Sequence, residues 1–167
     1  MTALTVAIVN CLPAAEFIET FGDIAEHSPW VAERAAAARP FAGREAMIAA
    51  FETALRKAPL GKQLDLIRAH PDLASKAKLT ADSASEQAGA GLDSLTEEEF
   101  ARFTELNETY KTRFAFPFIF AVKGATKHQI LEAFERRVEA PPEEEFETAI
   151  SQICRIFRFR IEDRIAG

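Results

Sequence analysis

Phe146-Glu147-Thr148-Ala149-Ile150-Ser151-Gln152-Ile153-Cys154-Arg155-Ile156-Phe157-Arg158-Phe159-Arg160-Ile161 is the stretch that decides the fold class. Phe146, Ile150, Ile153, Phe157 and Ile161 recur at spacings of four, three, four and four, which lines one face of a 3.6-residue period. Pro141-Pro142 marks the break before it. Working back along the chain, the same period returns. Thr126 to Gln129 is a capping box before Ile130, Leu131, Phe134 and Val138, and Thr96-Glu97-Glu98-Glu99 is another before Phe100, Phe103, Leu106 and Tyr110. Met47, Ile48, Phe51 and Leu55 share a face between Arg44 and Lys57. A further helix over Gly61 to Ala69 must end near His70, because a residue before proline is pushed out of helical geometry. Pro13 to Phe21 is stopped by Gly22, and Ser28-Pro29 opens a run through Ala35–Ala38 that Arg39-Pro40 closes. Only Phe114–Val122 refuses the period, and Pro117 argues against a regular strand there. The expected fold is all-α, one domain over residues 1–167 with seven to eight helices around a single core.

Composition narrows the function. With 48% hydrophobic and 28% charged residues over 167 positions, the chain has the balance of a globular protein able to bury a core without disulfides or structural metal. Twenty Lys+Arg against 26 Asp+Glu give a net charge of −6 with no long basic run, which excludes an ordinary nucleic-acid binder. The longest apolar stretch, Phe114 to Val122, is far short of a membrane span. No Lys or Arg precedes Arg34, so the basic start of a secretory signal is missing. Cys11 and Cys154 form no CxxC, and no His, Cys, Asp or Glu cluster has metal-ligand spacing. The expectation is a cytoplasmic protein with no metal, no nucleic-acid partner and no membrane contact.

Four places stand out from the helical pattern. His70-Pro71-Asp72-Leu73 puts an imidazole between two helices, with Pro71 as the first residue of the next. Either His70 is a loop histidine that caps that helix, or it serves chemistry at a helix N-terminus that favours anions. Ser83-Ala84-Ser85-Glu86-Gln87 runs into Ala88-Gly89-Ala90-Gly91-Leu92. Ser83-x-x-Glu86 is fully accounted for as a capping box, and the alternative is a polar ligand site ahead of a glycine pair. Arg160 falls within about 20° of the direction of Ile153, since seven steps of about 100° make nearly two turns. It leans onto the buried stripe while Arg155 points away, and its fork suits a carboxylate as well as a surface role. Phe114–Val122 is either a core-crossing loop or a backbone edge for a heterocycle with amide groups. His27 and His128 read as ordinary surface residues.

His70-Pro71-Asp72-Leu73-Ala74, Ser83-x-x-Glu86-Gln87-Ala88-Gly89-Ala90-Gly91-Leu92 and Phe116-Pro117-Phe118-Ile119, in that order, resemble the 2-oxo-4-hydroxy-4-carboxy-5-ureidoimidazoline (OHCU) decarboxylases of urate breakdown. Glu26-His27-Ser28-Pro29-Trp30, Arg39-Pro40-Phe41 and Arg158-Phe159-Arg160-Ile161 add to the likeness, which spans nearly the whole chain. The resemblance implies an all-helical, cofactor-free enzyme, commonly a homodimer, that converts OHCU to (S)-allantoin. It implies that His70 is the catalytic acid, and Glu86 stands beside it as the second catalytic residue, placed to hydrogen-bond either His70 or the substrate's ring groups. It implies a substrate site of Pro71, Ser83, Ala84, Ser85, Glu86, Gln87, Phe118, Ile119, Phe120, Ala121, Val122 and Arg160. Ser75 and Phe120 depart from the family pattern, which expects glycine and a smaller aliphatic residue there. Two alternatives remain open from sequence: a related decarboxylase of another ureido acid, for which Phe120 is the position to examine, and a non-catalytic helical ligand-binding module.

Overall fold

The computed structural model describes residues 4–75 and 79–167. Among them the chain forms α1 (Val6–Cys11), α2 (Ala14–Phe21), α3 (Trp30–Ala36), α4 (Arg44–Arg56), α5 (Leu60–Ala69), α6 (Ala81–Gly89), α7 (Glu97–Phe114), α8 (Lys127–Arg137) and α9 (Pro142–Arg164). The only strand-like feature among the described residues is a single parallel bridge, Leu4 to Ile165. The all-α expectation holds, with α1 as a short helix the apolar spacing did not reveal. Its six residues are capped by Thr5, whose hydroxyl accepts from the Ile8 N–H at 3.3 Å.

Two compact units divide the chain: Met1–Ala69 with Ile153–Gly167, and His70–Gln152. Phenylalanines supply much of both cores. In the first unit Phe17, Phe21, Phe51 and Phe157 are fully buried, with Phe17 5.0 Å from Phe21 and Phe51 6.1 Å from Phe157, centroid to centroid. In the second, Tyr110 packs against Phe114, Phe118 and Phe134 at 4.4, 5.5 and 5.9 Å. Such tilted and edge-on ring pairs add about 0.5–1.5 kcal/mol each beyond area burial.

The helix starts show which local signals govern. Thr96 and Thr126 form the two expected capping boxes, with Glu99 and Gln129 as reciprocal partners. Gly22 takes the C-cap of α2, where a side chain has no room, since a Cβ there would stand 2.6 Å from the Ile18 carbonyl oxygen. Three expectations fail. Ser28 does not cap α3; its hydroxyl donates to the Glu26 carbonyl at 2.8 Å and Pro29 takes the cap position. Pro71 opens no helix, because residues 71–75 form an irregular turn and α6 begins only at Ala81. Ser83 is not a cap either: Thr80 holds that position, and its hydroxyl accepts from the Ser83 N–H at 3.3 Å.

Glu99 carries a testable consequence. Its carboxylate accepts from Lys127 Nζ at 2.8 Å and from the Thr96 N–H at 2.9 Å, and these bonds hold its pKa down to about 2 from the ordinary 4.5. A depressed carboxyl stabilises the fold fully above its unfolded pKa and loses that contribution as pH falls through the folded value. Thermal unfolding of Glu99→Gln against the parent chain should therefore show a gap at pH 6 that closes between about pH 4.5 and 2. A gap independent of pH would mean that the charge of Glu99 contributes nothing.

Candidate functional site

The His70-to-Ala74 turn begins where α5 stops, and three side chains from the same unit hold its last three residues. Gln87 Oε1 accepts from the Ala74 N–H at 3.0 Å, Asn107 Nδ2 donates to the Leu73 carbonyl at 2.9 Å, and Lys111 pairs with Asp72 at 2.6 Å. The first two bonds are buried, where a backbone group without a partner costs about 1–3 kcal/mol. Ala74 has φ 59°, a left-handed conformation that costs an L-residue roughly 1–2 kcal/mol. Gln87 binds the N–H of that same residue, so the amide of one sequence motif fixes the backbone of the other. His70 itself is buried, with 9% of its surface exposed, and Pro71 is half-buried.

On α6, Ser83, Glu86 and Gln87 lie three and four residues apart and therefore share a face. Ser83 and Gln87 are buried and Glu86 is half-buried, whereas Ala84 and Ser85 are exposed. With Thr80 as the true cap, Glu86 is no capping-box partner, and the bland explanation of Ser83-x-x-Glu86 is removed. Of the glycine pair, Gly89 is the last residue of α6 and Gly91 ends it. Gly91 has φ 84°, its N–H donates to Ala88 O at 3.0 Å, and the Leu92 N–H donates to Gln87 O at 2.9 Å, the two bonds of a Schellman motif.

The Phe118–Val122 segment is a buried, irregular crossing, as its sequence suggested. Phe118, Ile119, Ala121 and Val122 are buried and Phe120 is half-buried. Phe118 stacks on Phe134 with centroids 3.9 Å apart and planes 10° from parallel. Its backbone finds partners within the protein: Ile119 O accepts from Arg137 Nη1 at 2.7 Å, and the Ala121 N–H donates to Gln152 Oε1 at 2.9 Å.

Arg137 was not singled out from sequence. Its Nε donates to Glu145 Oε1 at 2.7 Å, the Tyr110 hydroxyl donates to the same oxygen at 2.6 Å, and all three residues are buried. Burial and the Glu145 carboxylate push the Tyr110 phenol up, so it remains a donor. The signal for Arg137 was present: it lies seven residues after Ile130, the same offset that picked out Arg160 from Ile153. Asn107 was likewise legible, four residues after Phe103 and three before Tyr110 on one apolar stripe.

In the other unit Arg160 turns inward, 3% exposed, while Arg155 is exposed. Its Nη2 meets Glu26 Oε1 at 3.2 Å and its Nη1 donates to the Ile24 carbonyl at 3.2 Å. The buried carboxylate balances the buried guanidinium.

Among the described residues no group of three or more His, Cys, Asp or Glu side chains is arranged to hold a metal ion. No helix among them is long and apolar enough to cross a membrane. A cleft of about 440 Å3 bordered by Ala74, Ser75, Leu92 and Phe100 adjoins the end of the turn, yet neither His70 nor Glu86 lines it.

Comparison with known proteins bears on all of these motifs together. A family model for OHCU decarboxylase matches residues 10–162. A 2-oxo-4-hydroxy-4-carboxy-5-ureidoimidazoline decarboxylase of Haloferax volcanii is 44% identical over 167 residues, covering 100% of this chain and 99% of that protein. A uric acid degradation bifunctional protein of Bacillus subtilis is 43% identical over 94% of this chain, which spans 32% of that larger protein. A crystal structure of (S)-allantoin synthase aligns with a TM-score of 0.77 at 34% identity, covering 97% of this chain and 54% of that one. With a family model taking in both the His70-to-Ala74 turn and the α6 motif, and a relative alike over its full length, the chain belongs to the OHCU decarboxylase family.

Proposed function

We propose that this chain decarboxylates OHCU to (S)-allantoin without a cofactor, with His70 delivering the proton. The observation that carries the reading is the buried Gln87–Ala74 hydrogen bond, which ties the His70-to-Ala74 turn to the helix bearing Ser83 and Glu86. OHCU holds a carboxylate and a hydroxyl on one tetrahedral ring carbon. When the bond to the carboxylate breaks, CO2 leaves and its electron pair stays on that carbon, delocalised into the adjoining unsaturated ring. The substrate is its own electron sink. What the protein must add is orientation and a proton delivered to one face.

An imidazole suits the second task, since its ordinary pKa is near ~6.5 and general acid catalysis is worth about 10²–10⁴-fold. Glu86, half-buried on the α6 face, supports the imidazole or holds the substrate's ring N–H groups. Pro71, Ser83, Ala84, Ser85, Gln87, Phe118–Val122 and Arg160 complete the substrate-binding set in this reading. The protein acts as one functional domain and a homodimer in the cytoplasm.

The test supplies freshly generated OHCU and follows (S)-allantoin by circular dichroism. Acceleration well above spontaneous decay, with one enantiomer formed, is expected, and it should survive exhaustive chelation with EDTA. A rate equal to spontaneous decay would end the assignment. Loss with EDTA, restored by a divalent ion, would end its cofactor-free form.

A further inference from the structure

Two side chains outside the substrate-binding set grip the Phe118–Val122 segment at alternate residues. Arg137 Nη1 donates to the Ile119 carbonyl at 2.7 Å, and Gln152 Oε1 accepts from the Ala121 N–H at 2.9 Å. Arg137 also lies over the Phe118 ring, its guanidinium carbon 4.3 Å from the centroid, while Phe134 stacks on that ring at 3.9 Å. The guanidinium is itself fixed by the buried Glu145 carboxylate, which Tyr110 steadies from the other side. Between the two grips sits Phe120, the one residue of Phe118–Val122 that is half-buried while its neighbours are buried.

We propose that Arg137 and Gln152 are positioning residues that set the backbone of Phe118–Val122 so that Phe120 is presented to the ligand and determines which ureido ring is accepted. The proposal rests on the reading of this segment as substrate-binding. Its physical content is preorganisation. An irregular segment has no ladder of its own to fix it, so two side-chain bonds decide where its remaining backbone groups and the Phe120 ring point. Because these bonds exist before and during reaction alike, losing one weakens ground-state and transition-state binding together. That raises KM and leaves kcat in place.

Gln152 is the safer position to change, being half-buried, with its amide oxygen on the Ala121 N–H. Gln152→Leu keeps the volume and removes the acceptor, whereas Gln152→Glu keeps an oxygen facing Ala121. Steady-state OHCU turnover and (S)-allantoin binding by calorimetry are measured for both, with thermal unfolding alongside. The expected result is a KM and an allantoin Kd at least fivefold higher in Gln152→Leu, kcat within threefold, and rescue to within twofold in Gln152→Glu. Arg137→Lys is the second probe, since a single ammonium on a flexible stem replaces the two separate fork nitrogens that reach Glu145 and Ile119 O, and it should raise KM in the same way. Phe120→Leu should alter the preference between OHCU and a bulkier ureido analogue, and this altered preference should persist in the Gln152→Glu background. An active parent chain whose Gln152→Leu and Arg137→Lys variants fold and keep their KM overturns the proposal alone. Equal losses in Gln152→Leu and Gln152→Glu overturn it too, as does a change of melting temperature with no change of KM. A parent chain that does not accelerate OHCU loss removes the underlying reading instead.

Discussion

His70→Asn is expected to fall in (S)-allantoin formation by at least ~10²-fold, the low end of what a general acid contributes, while remaining folded. Spontaneous decay of OHCU then becomes visible and the product drifts toward racemate. Retention of the fold does not rest on Asn capping a following helix, because none begins at Pro71. It rests on Asp72, Leu73 and Ala74 being held by Lys111, Asn107 and Gln87, none of which this change touches. Glu86→Gln isolates the partner. Thr80 caps α6, so the substitution removes no cap and should cost less in stability than in activity. Loss of a charge-assisted hydrogen bond should still cost roughly 10- to 150-fold in turnover, from about 1.5–3 kcal/mol. Rate, enantiomeric excess and thermal unfolding of the two variants decide the matter. Near-parent rates with enantiopure product in both would sink the assignment and favour a helical binding module.

Arg160→Ala should be the most destabilising of the arginine truncations on α9. It takes the guanidinium from the buried Glu26 carboxylate, 2% exposed, and breaking a buried pair in this way typically costs about 3–5 kcal/mol. Arg155→Ala, a matched change at an exposed position of the same helix, should stay within about 0.5 kcal/mol, the usual range for a surface substitution. Denaturant titration reads both. Binding must be separated from folding, so Arg160→Ala is paired with Arg160→Met/Glu26→Leu, which removes both charges together. The double variant should recover much of the stability yet still bind (S)-allantoin about tenfold or more weakly. Full binding by the double variant would make Arg160 a structural arginine only. Equal, small stability losses for Arg160→Ala and Arg155→Ala would mean that the Glu26 pair contributes nothing.

What the sequence settled by itself about this protein was local. Helix positions and their buried faces followed from apolar spacing, because a helix repeats every 3.6 residues and a buried stripe must repeat with it. Phe103, Leu106 and Tyr110 on α7, and Ile150, Ile153, Phe157 and Ile161 on α9, are all buried as that spacing required. The boxes at Thr96 and Thr126 were legible for the same reason, since each is completed within four residues. The inward lean of Arg160 was readable too, although its partner Glu26, more than a hundred residues earlier, was not. Tertiary structure decided the rest wherever one local signal served two conformations. Proline's fixed φ suits the first turn of a helix and an irregular turn equally, and bonds from α6 and α7 chose the turn after His70. Ser83-x-x-Glu86 matched a cap as well as Thr80 did, until the chain started its helix at Ala81 and left Ser83 and Glu86 inside it on one face. Nothing local in Phe114–Val122 could name its anchors. A segment without periodicity satisfies its backbone through side chains distant in sequence, and here those are Arg137 and Gln152.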